Sequence, residues 1–354
     1  MICMASADVA VGSELSRPVT RARGLVRPGA VIVVVGIALL VIGSIWDLTI
    51  GAVALSPGSV LHGLFSSSGD VTSAIVQTIR LPRVVLAVVV GLCTAIAGVI
   101  MQGATANPLG APDVVGVSSG AALVVVVGAT VFAQISGTLL VLLGFLGAGV
   151  AAVCVMVVAG IGQGRTNPVR LALAGVTVTA MLLAFTQALL LLHQNGTSGV
   201  FFWLVGGVNY AQWSQLLVIA PWVTAGVLGA LLLAGPMNLL MLGDDTARGL
   251  GLNVERVRVL GVLCVVCLAG STVAVAGPVA FVGIIVPHIT RSLVGTDHRV
   301  VIPLSGLLGA GLLVLADVAC RYVQFPFETP TGIITALVGA PFFLYLARSR
   351  KVVA

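Results

Sequence analysis

The sequence predicts an all-α polytopic membrane protein, because its composition is strongly apolar and its apolar residues are grouped in long runs. The 354 residues are 59% hydrophobic and only 8% charged, whereas an average soluble domain has roughly 25% charged residues. Each run is long enough, or nearly so, to cross a hydrocarbon core of about 30 Å as a helix. The ten runs span residues 29–46, 84–103, 114–133, 138–161, 171–192, 214–234, 257–276, 277–292, 300–319 and 331–347.

The basic residues are distributed unevenly between the two sides that ten alternating spans create. Fourteen of the 17 Lys and Arg residues fall on one side, which the positive-inside rule assigns to the cytoplasm. Both termini are therefore expected in the cytoplasm. Arg80, Arg83 and Arg321 fall on the other side, where we expect them to be exposed on the outer surface. The inside set is Arg17, Arg21, Arg23, Arg27, Arg165, Arg170, Arg248, Arg256, Arg258, Arg291, Arg299, Arg348, Arg350 and Lys351.

The first 28 residues predict a retained cytoplasmic tail rather than a secretory signal. They carry Asp8, Glu14 and four arginines before the first apolar run, and no small-residue cleavage site stands out. The following connection, residues 47–79, is the longest on the outer side. Residues 29–347 are expected to form one transmembrane domain, and residues 348–354 a second cytoplasmic tail.

Glycine spacing predicts how the spans pack against one another. Pairs such as Gly116/Gly120 and Gly160/Gly164 let helix backbones approach closely in a membrane. A further cluster contains Gly306, Gly309 and Gly311. The first pair also reads G-x-S-x-G, but a nucleophile in that motif requires a strand-to-helix turn and a nearby histidine. Here the motif opens an apolar helix, so packing is favoured over catalysis.

The stretch between Val259 and Thr290 contains no charged residue and fits either two crossings or one long helix with a re-entrant piece. The dipeptide Gly277-Pro278 is a natural break, and two crossings keep Arg348 and its basic neighbours inside. We therefore predict ten spans. Five spans in each half give the second half the opposite orientation, as in the inverted-topology repeats of transporters.

Several function classes are excluded by what the sequence lacks. A nucleotide-binding P-loop needs a lysine in its glycine-rich loop, and the one lysine is Lys351. There is no H-E-x-x-H motif of the kind that binds zinc in metalloproteases. Cys264 and Cys267 lie in mid-span without further metal or redox partners. The positive charge is expected to anchor the chain to anionic lipid rather than to nucleic acid. Neither a metal, a cofactor nor an enzymatic activity is therefore predicted.

Asp317 and Arg321, four residues apart, are expected to form an ion pair on the surface of a helix.

Residues 235–256 form the most polar connection on the inner side. Asp244 and Asp245 suit the start of a short helix, and Gly249 or Gly251 suits its end. Spacing alone leaves two interpretations open, a docking helix held between two spans or an ordinary polar loop.

Motifs along most of the chain resemble those of the FecCD family, the permease subunits of ATP-binding cassette (ABC) importers for iron-siderophores, haem and vitamin B12. The form Asn-Pro-Leu-Gly-Ala-Pro-Asp-Val, beginning at Asn107, is most similar to ferric-siderophore members, although Ala106 stands where many relatives carry arginine. The matching motifs are Arg80-Leu-Pro-Arg83-Val-Val-Leu, Met101-Gln102, segment 107–117, segment 243–247 with Leu250-Gly251, segment 277–283, Pro287-His288, Asp297-His298-Arg299, Asp317, Pro330-Thr331-Gly332 and Gly339-Ala340-Pro341.

The resemblance implies a type II ABC importer permease in a bacterial cytoplasmic membrane, with two permease copies, identical or paralogous, around one path. It implies that Arg80, Arg83 and Arg321 receive glutamates of a substrate-binding protein. It also implies that a cytoplasmic ATPase subunit, present in two copies, contacts a coupling segment. That segment comprises Gly243, Asp244, Asp245, Thr246, Ala247, Arg248, Gly249, Leu250, Gly251 and Leu252. An iron-siderophore is the implied substrate; haem, vitamin B12 and a secondary transporter remain alternatives.

Overall fold

The computed structural model describes residues 28–51, 54–65, 70–132, 135–160, 168–193, 198–323 and 329–348. Residues 1–27, 161–167 and 349–354 lie outside these ranges. With them lie Gly164 of the predicted glycine pairs and Arg17, Arg21, Arg23, Arg27, Arg165, Arg350 and Lys351 of the predicted inside set. The described ranges contain 13 helices and no strands, so the predicted all-α class is confirmed.

The helices in chain order are α1 (Pro28–Thr49), α2 (Pro57–Phe65), α3 (Val71–Thr105), α4 (Val117–Val131), α5 (Gly137–Val158), α6 (Pro168–Leu192), α7 (Ser198–Val205), α8 (Trp213–Leu240), α9 (Asp244–Gly249), α10 (Val254–Ala276), α11 (Val282–Val294), α12 (His298–Val323) and α13 (Thr331–Arg348). Helices α3 and α10 each include one π-helical turn, Val76–Arg80 and Val266–Gly270.

Each of the ten predicted apolar runs contains or overlaps one helix. Seven helices are long and apolar enough to cross a membrane, namely α1, α3, α5, α6, α8, α10 and α12, while α4, α11 and α13 are shorter apolar helices. The 13 residues of α11 extend about 20 Å at a rise of about 1.5 Å per residue, less than the thickness of the hydrocarbon core. Seven candidate spans are therefore shown, and the count of ten crossings stays a prediction.

The predicted break at Gly277-Pro278 is confirmed. Helix α10 ends at Ala276, and Gly277 has a φ of +69°, a conformation that glycine adopts without steric cost. A Cβ atom at Gly277 would also lie 2.0 Å from the carbonyl oxygen of Trp203. The chain remains non-helical up to Phe281, and α11 begins at the next residue.

The two halves of the bundle use the same succession of helices. Helix α3 packs on α11 and α12, and α10 correspondingly packs on α4 and α5. The short helices α4 and α11 each follow a residue of positive φ, Gly116 and Phe281. The beginning of α10 lies beside the end of α3, because Arg258 donates a hydrogen bond to the carbonyl of Ala104. The corresponding helices α3 and α10 are therefore antiparallel, as the predicted inverted halves require.

Glycines bring the helix backbones into direct contact at several crossings. A Cβ atom at Gly91 in α3 would lie 2.2 Å from the carbonyl oxygen of Gly309 in α12, and one at Gly120 in α4 would lie 2.4 Å from that of Gly147 in α5. The predicted packing role of Gly120 and Gly309 is thus confirmed, whereas Gly311 faces open space. Ser118, the serine of the G-x-S-x-G motif, donates a hydrogen bond from its hydroxyl to the carboxylate of Asp113.

Candidate docking and coupling sites

Three arginines and two aspartates converge where α1 and α12 end and α13 begins. Arg83 of α3 binds Asp317 of α12 through two contacts, Nε to Oδ2 at 2.7 Å and Nη2 to Oδ1 at 3.0 Å. The hydroxyl of Thr331 donates to the same carboxylate at 3.0 Å. We call this end of the bundle the outer end, after the side predicted by the charge distribution. The opposite end, which carries α9, is called the inner end.

Arg321 connects the second aspartate to this group. Its Nη2 lies 2.8 Å from Oδ1 of Asp47 and 3.3 Å from Oδ2 of Asp317, and its Nη1 donates to the carbonyl of Ile50. Arg80 donates to the carbonyl of Leu48 at 2.6 Å. We call the set Asp47, Arg80, Arg83, Asp317 and Arg321 the outer charge cluster. It joins α1, α3 and α12 through charged side chains.

The expectation that the three arginines are exposed is wrong. Arg80, Arg83 and Arg321 are only 5%, 4% and 6% exposed in the single chain, and Asp47 and Asp317 are fully buried. A buried carboxylate needs a charged or hydrogen-bonding partner, because transfer of an isolated charge from water is very unfavourable. Asp317 and Asp47 therefore hold Arg83 and Arg321 inside the bundle, and the carbonyl of Leu48 holds Arg80. The predicted ion pair of Asp317 with Arg321 is confirmed, although it is buried rather than at the surface.

The outer charge cluster keeps a surplus of positive charge, since three arginines and two aspartates sum to +1. Next to the cluster, the indole N–H of Trp46 donates a hydrogen bond to the hydroxyl of Tyr322 at 3.2 Å, and both rings are exposed. Such aromatic side chains are typical of the membrane–water interface. The cluster therefore lies at the edge of the bundle's apolar zone.

The predicted short helix at the inner end is confirmed as α9. It starts at Asp244 after Gly243, whose φ is +93°, and places Asp245 in its first turn. Gly251 has a φ of +84°. The N–H of Gly251 donates to Arg248 and that of Leu252 to Ala247, the hydrogen bonds of a Schellman motif. Of the two glycines predicted to end the helix, Gly249 is its last residue and Gly251 provides the left-handed turn.

Helix α9 is fixed on one side and exposed on the other. Ala247 is fully buried, whereas Leu250 is 61% exposed and Asp245 is in full contact with solvent. Asp245 and Arg248 form an exposed ion pair at 3.4 Å, a kind of pair that contributes little stability. Met241 and Leu242, in the turn before α9, are exposed as well. This face combines apolar and charged groups, as protein-binding surfaces do.

Arg258 holds α9 in place and is a site residue that the sequence did not reveal. Its Nη1 and Nη2 each lie 2.9 Å from an oxygen of Asp244, and its Nε donates to the carbonyl of Ala104 at 3.1 Å. The charge distribution had assigned Arg258 only to the inner side. The presence of Asp244 on the same inner stretch was the available signal, but nothing in the spacing indicated that the arginine is buried.

A second inner contact fastens the start of α12 to the end of α8. The Asn238 amide donates to Asp297 at 2.7 Å and accepts the backbone N–H of His298 at 2.8 Å. The backbone N–H of Arg299 also donates to Asp297, at 3.0 Å. The hydrogen bond from Asn238 is the main reason that the pKa of the Asp297 carboxyl is lowered below its usual value, and the bond from Arg299 adds to it. The Asp-His-Arg motif therefore serves to cap α12.

Comparison with known proteins agrees with this architecture. Residues 39–349 match the FecCD transport family. The Fe(3+)-citrate import system permease protein YfmD of Bacillus subtilis (strain 168) is 41% identical over 318 residues, which cover 90% of this chain and 94% of YfmD. The iron(3+)-hydroxamate import system permease protein FhuB of the same strain is 43% identical over 327 residues, covering 91% of this chain and 84% of FhuB.

Structural similarity extends over the same region. A solved structure of a metal-chelate type ABC transporter in an inward-facing conformation matches with a TM-score of 0.80 and 28% identity, covering 90% of this chain and 99% of that chain. The family predicted from the motifs is thereby confirmed. The chain belongs to the FecCD transport family and is a multi-pass membrane permease.

Proposed function

We propose that the chain is the permease subunit of an ABC importer that carries a ferric siderophore across the bacterial cytoplasmic membrane. The observation that carries this proposal is the similarity to YfmD and FhuB over 90% and 91% of the chain. Both relatives are named for the import of an iron(3+) complex with a small organic chelator. The match to a metal-chelate type transporter supports the same substrate class.

The inner partner in this proposal is a cytoplasmic ATPase subunit that contacts residues 243–252. Support comes from the exposed residues of α9 and its C-cap, which include the apolar Leu250 and the charged pair of Asp245 and Arg248. Because α9 is short and Asp244 at its start is bound by Arg258, a partner that binds α9 and moves would also move the helices that α9 contacts. Binding and hydrolysis of ATP by the partner would then shift the permease between its conformations through differential binding.

The outer partner in this proposal is a substrate-binding protein that presents acidic residues. Its carboxylates are attracted by the surplus charge of the outer charge cluster, to which Arg80, Arg83 and Arg321 contribute. Charge complementarity of this kind mainly sets the rate and orientation of association. In this proposal the arginines attract the partner while Arg83 and Arg321 remain paired with Asp47 and Asp317 and Arg80 remains hydrogen-bonded to the carbonyl of Leu48.

The assembly in this proposal contains two permease copies, two ATPase subunits and one binding protein, with both permease termini in the cytoplasm. Large apolar side chains remain exposed along α1, α6 and α13, including Val34, Leu173 and Leu337. In a membrane protein these surfaces face lipid or another subunit. A second copy would cover part of them and enclose the transport path.

Uptake of a radiolabelled ferric siderophore into proteoliposomes tests this function. The liposomes contain the permease and its ATPase, with ATP inside and the binding protein outside. We expect uptake only with ATP and both partners. Uptake without the ATPase would contradict the importer proposal and favour a secondary transporter. Uptake of labelled haem or vitamin B12, without uptake of the labelled ferric siderophore, would assign one of those substrates instead.

A further inference from the structure

Arg258 lies at a junction of three inner elements of the fold. It belongs to α10, it holds both carboxylate oxygens of Asp244 at the start of α9, and it donates to the carbonyl of Ala104 in α3. The side chain is only 3% exposed. Asp244 in turn is partly exposed on α9, so the junction connects a buried guanidinium directly to the exposed inner surface.

The contact with Ala104 occurs at a carbonyl that α3 itself leaves unpaired. In a continuing helix this oxygen would accept the N–H of residue 108, but residue 108 is proline and has none. The helix ends at Thr105, and Ala106 turns the chain with a φ of +47°. Arg258 therefore replaces the missing donor at the point where α3 passes into the Asn107-Pro108 turn.

The geometry of the guanidinium makes this link rigid. Its planar group uses Nη1 and Nη2 for the carboxylate and Nε for the carbonyl, so the directions of the two contacts are fixed relative to each other. A displacement of α9 must then move the end of α3 or break a buried, charge-assisted contact. Breaking such a contact is strongly unfavourable, because it leaves a buried charge without its partner.

We propose that Arg258 is the positioning residue that transmits displacement of α9 to the end of α3 and to the turn at 106–110. The inference rests on the proposed function in one respect, that the ATPase displaces α9. Arg258 acts through Asp244 and Ala104 and contacts neither ATP nor substrate. Without it, an ATPase bound to α9 hydrolyses ATP while the inner end of α3 no longer follows.

The transport test compares Arg258→Gln and Arg258→Lys with the matched control Arg256→Gln. Arg256 is on the same helix two residues earlier and is exposed. We expect substrate uptake per ATP hydrolysed to fall about tenfold in both Arg258 variants, a ratio typical of coupling between sites, and to stay unchanged in the control. The lysine variant keeps the charge but cannot make all three contacts. Wild-type uptake per ATP in both Arg258 variants would overturn the proposal.

A distance measurement tests the same inference without substrate or ATPase. Spin labels are placed on Asp245→Cys and Ala106→Cys, both exposed sites, which keeps Pro108 in place, in a background without reactive cysteines. We expect one narrow distance distribution with Arg258 present and with Arg256→Gln, and a broad one with Arg258→Gln. An equally narrow distribution in Arg258→Gln would overturn the rigid link. Failure of uptake in the wild type, with the narrow distribution retained, would instead contradict the proposed function.

Discussion

Arg83 and Asp317 are separated by 234 residues of sequence and form a two-contact ion pair at 2.7 and 3.0 Å inside the protein. The pair connects α3 of the first half with α12 of the second half. Because Thr331 binds the same carboxylate, the start of α13 is fixed at the same point. Asp317 is therefore the acceptor that holds three helices together at the outer end.

The substitution Asp317→Asn tests this role. It leaves Arg83 and Arg321 buried without their shared carboxylate, so we expect the free energy of unfolding to fall by about 3–5 kcal/mol, the usual effect of removing one partner of a buried ion pair. Thermal unfolding in detergent micelles measures the loss. Asp245→Asn removes the same charge from an exposed site and should leave the melting temperature unchanged. Equal melting temperatures for wild type and Asp317→Asn would contradict the structural role.

The attraction of the outer charge cluster for the binding protein is tested with Arg80→Gln. This change lowers the sum of charges in the cluster from +1 to zero. We expect the association rate of the binding protein to fall by about threefold to tenfold at low salt, with a smaller effect at high salt, because long-range attraction is screened. Surface plasmon resonance on permease in nanodiscs gives the rates. Arg256→Gln, an equal change of charge at the inner end, should leave the rate as it is. A slower rate in both variants would indicate a general charge effect rather than docking at the cluster.

The coupling surface is tested by Gly249→Trp. A Cβ atom at Gly249 meets nothing within 4 Å, so the new side chain fits the free permease and obstructs only a partner on α9. We expect the melting temperature to be retained and the affinity for the ATPase to fall about tenfold, as a clash of roughly 1.4 kcal/mol would cause. Gly199→Trp is the control, since Gly199 also faces open space but lies on α7. Normal ATPase binding by Gly249→Trp would remove this face from the interface.

Close packing of the helices is tested by Gly98→Ala. The added Cβ would lie 1.9 Å from the carbonyl oxygen of Gly283, so α3 and α11 must separate. We expect a destabilisation of about 1–3 kcal/mol, or more where the backbones cannot yield. Gly311→Ala adds the same methyl group to α12 where nothing lies within 4 Å of the new Cβ, and it should not lower the melting temperature. Equal stability of the two variants would contradict the direct backbone contact.

The orientation of the bundle is tested by labelling single cysteines with a membrane-impermeant thiol reagent. Tyr210 and Asp245 are exposed near opposite ends of α8, so Tyr210→Cys and Asp245→Cys report on the two sides. In a cysteine-free background and intact cells, we expect the first to react from outside and the second only after permeabilisation. The reverse result would mean that the outer charge cluster faces the cytoplasm, and docking of a binding protein there would be ruled out.

Features that depend on local sequence were predicted well. Runs of apolar residues marked the positions of the seven span-length helices and of α4, α11 and α13, because a helix that crosses a membrane needs a long apolar run. Gly277 and the acidic start at Asp244 marked a break and a short helix, since both signals act on the backbone within a few residues. Glycine spacing also identified the close contact at Gly120.

Features that depend on distant residues were missed. Burial of Arg83 depends on Asp317, 234 residues away, and Arg321 pairs with the distant Asp47 as well as with its predicted neighbour Asp317. The charge distribution alone places an arginine only on one side of the membrane. Arg258 was missed for a related reason, since its third contact is a backbone carbonyl 154 residues away. A carbonyl group leaves no mark in a sequence pattern.

The long separation between α3 and α12 also has a consequence for biosynthesis. The ribosome completes α3 and its successors well before α12 emerges, so the glycine face at Gly91 and the guanidinium of Arg83 first enter the membrane without Gly309 and Asp317. An arginine near the end of a membrane helix can meanwhile extend its charged group to the lipid headgroups. The outer end is therefore completed only after most of the chain has been synthesised, and a nascent chain that stops before α12 would leave the translocon with an unfinished outer surface.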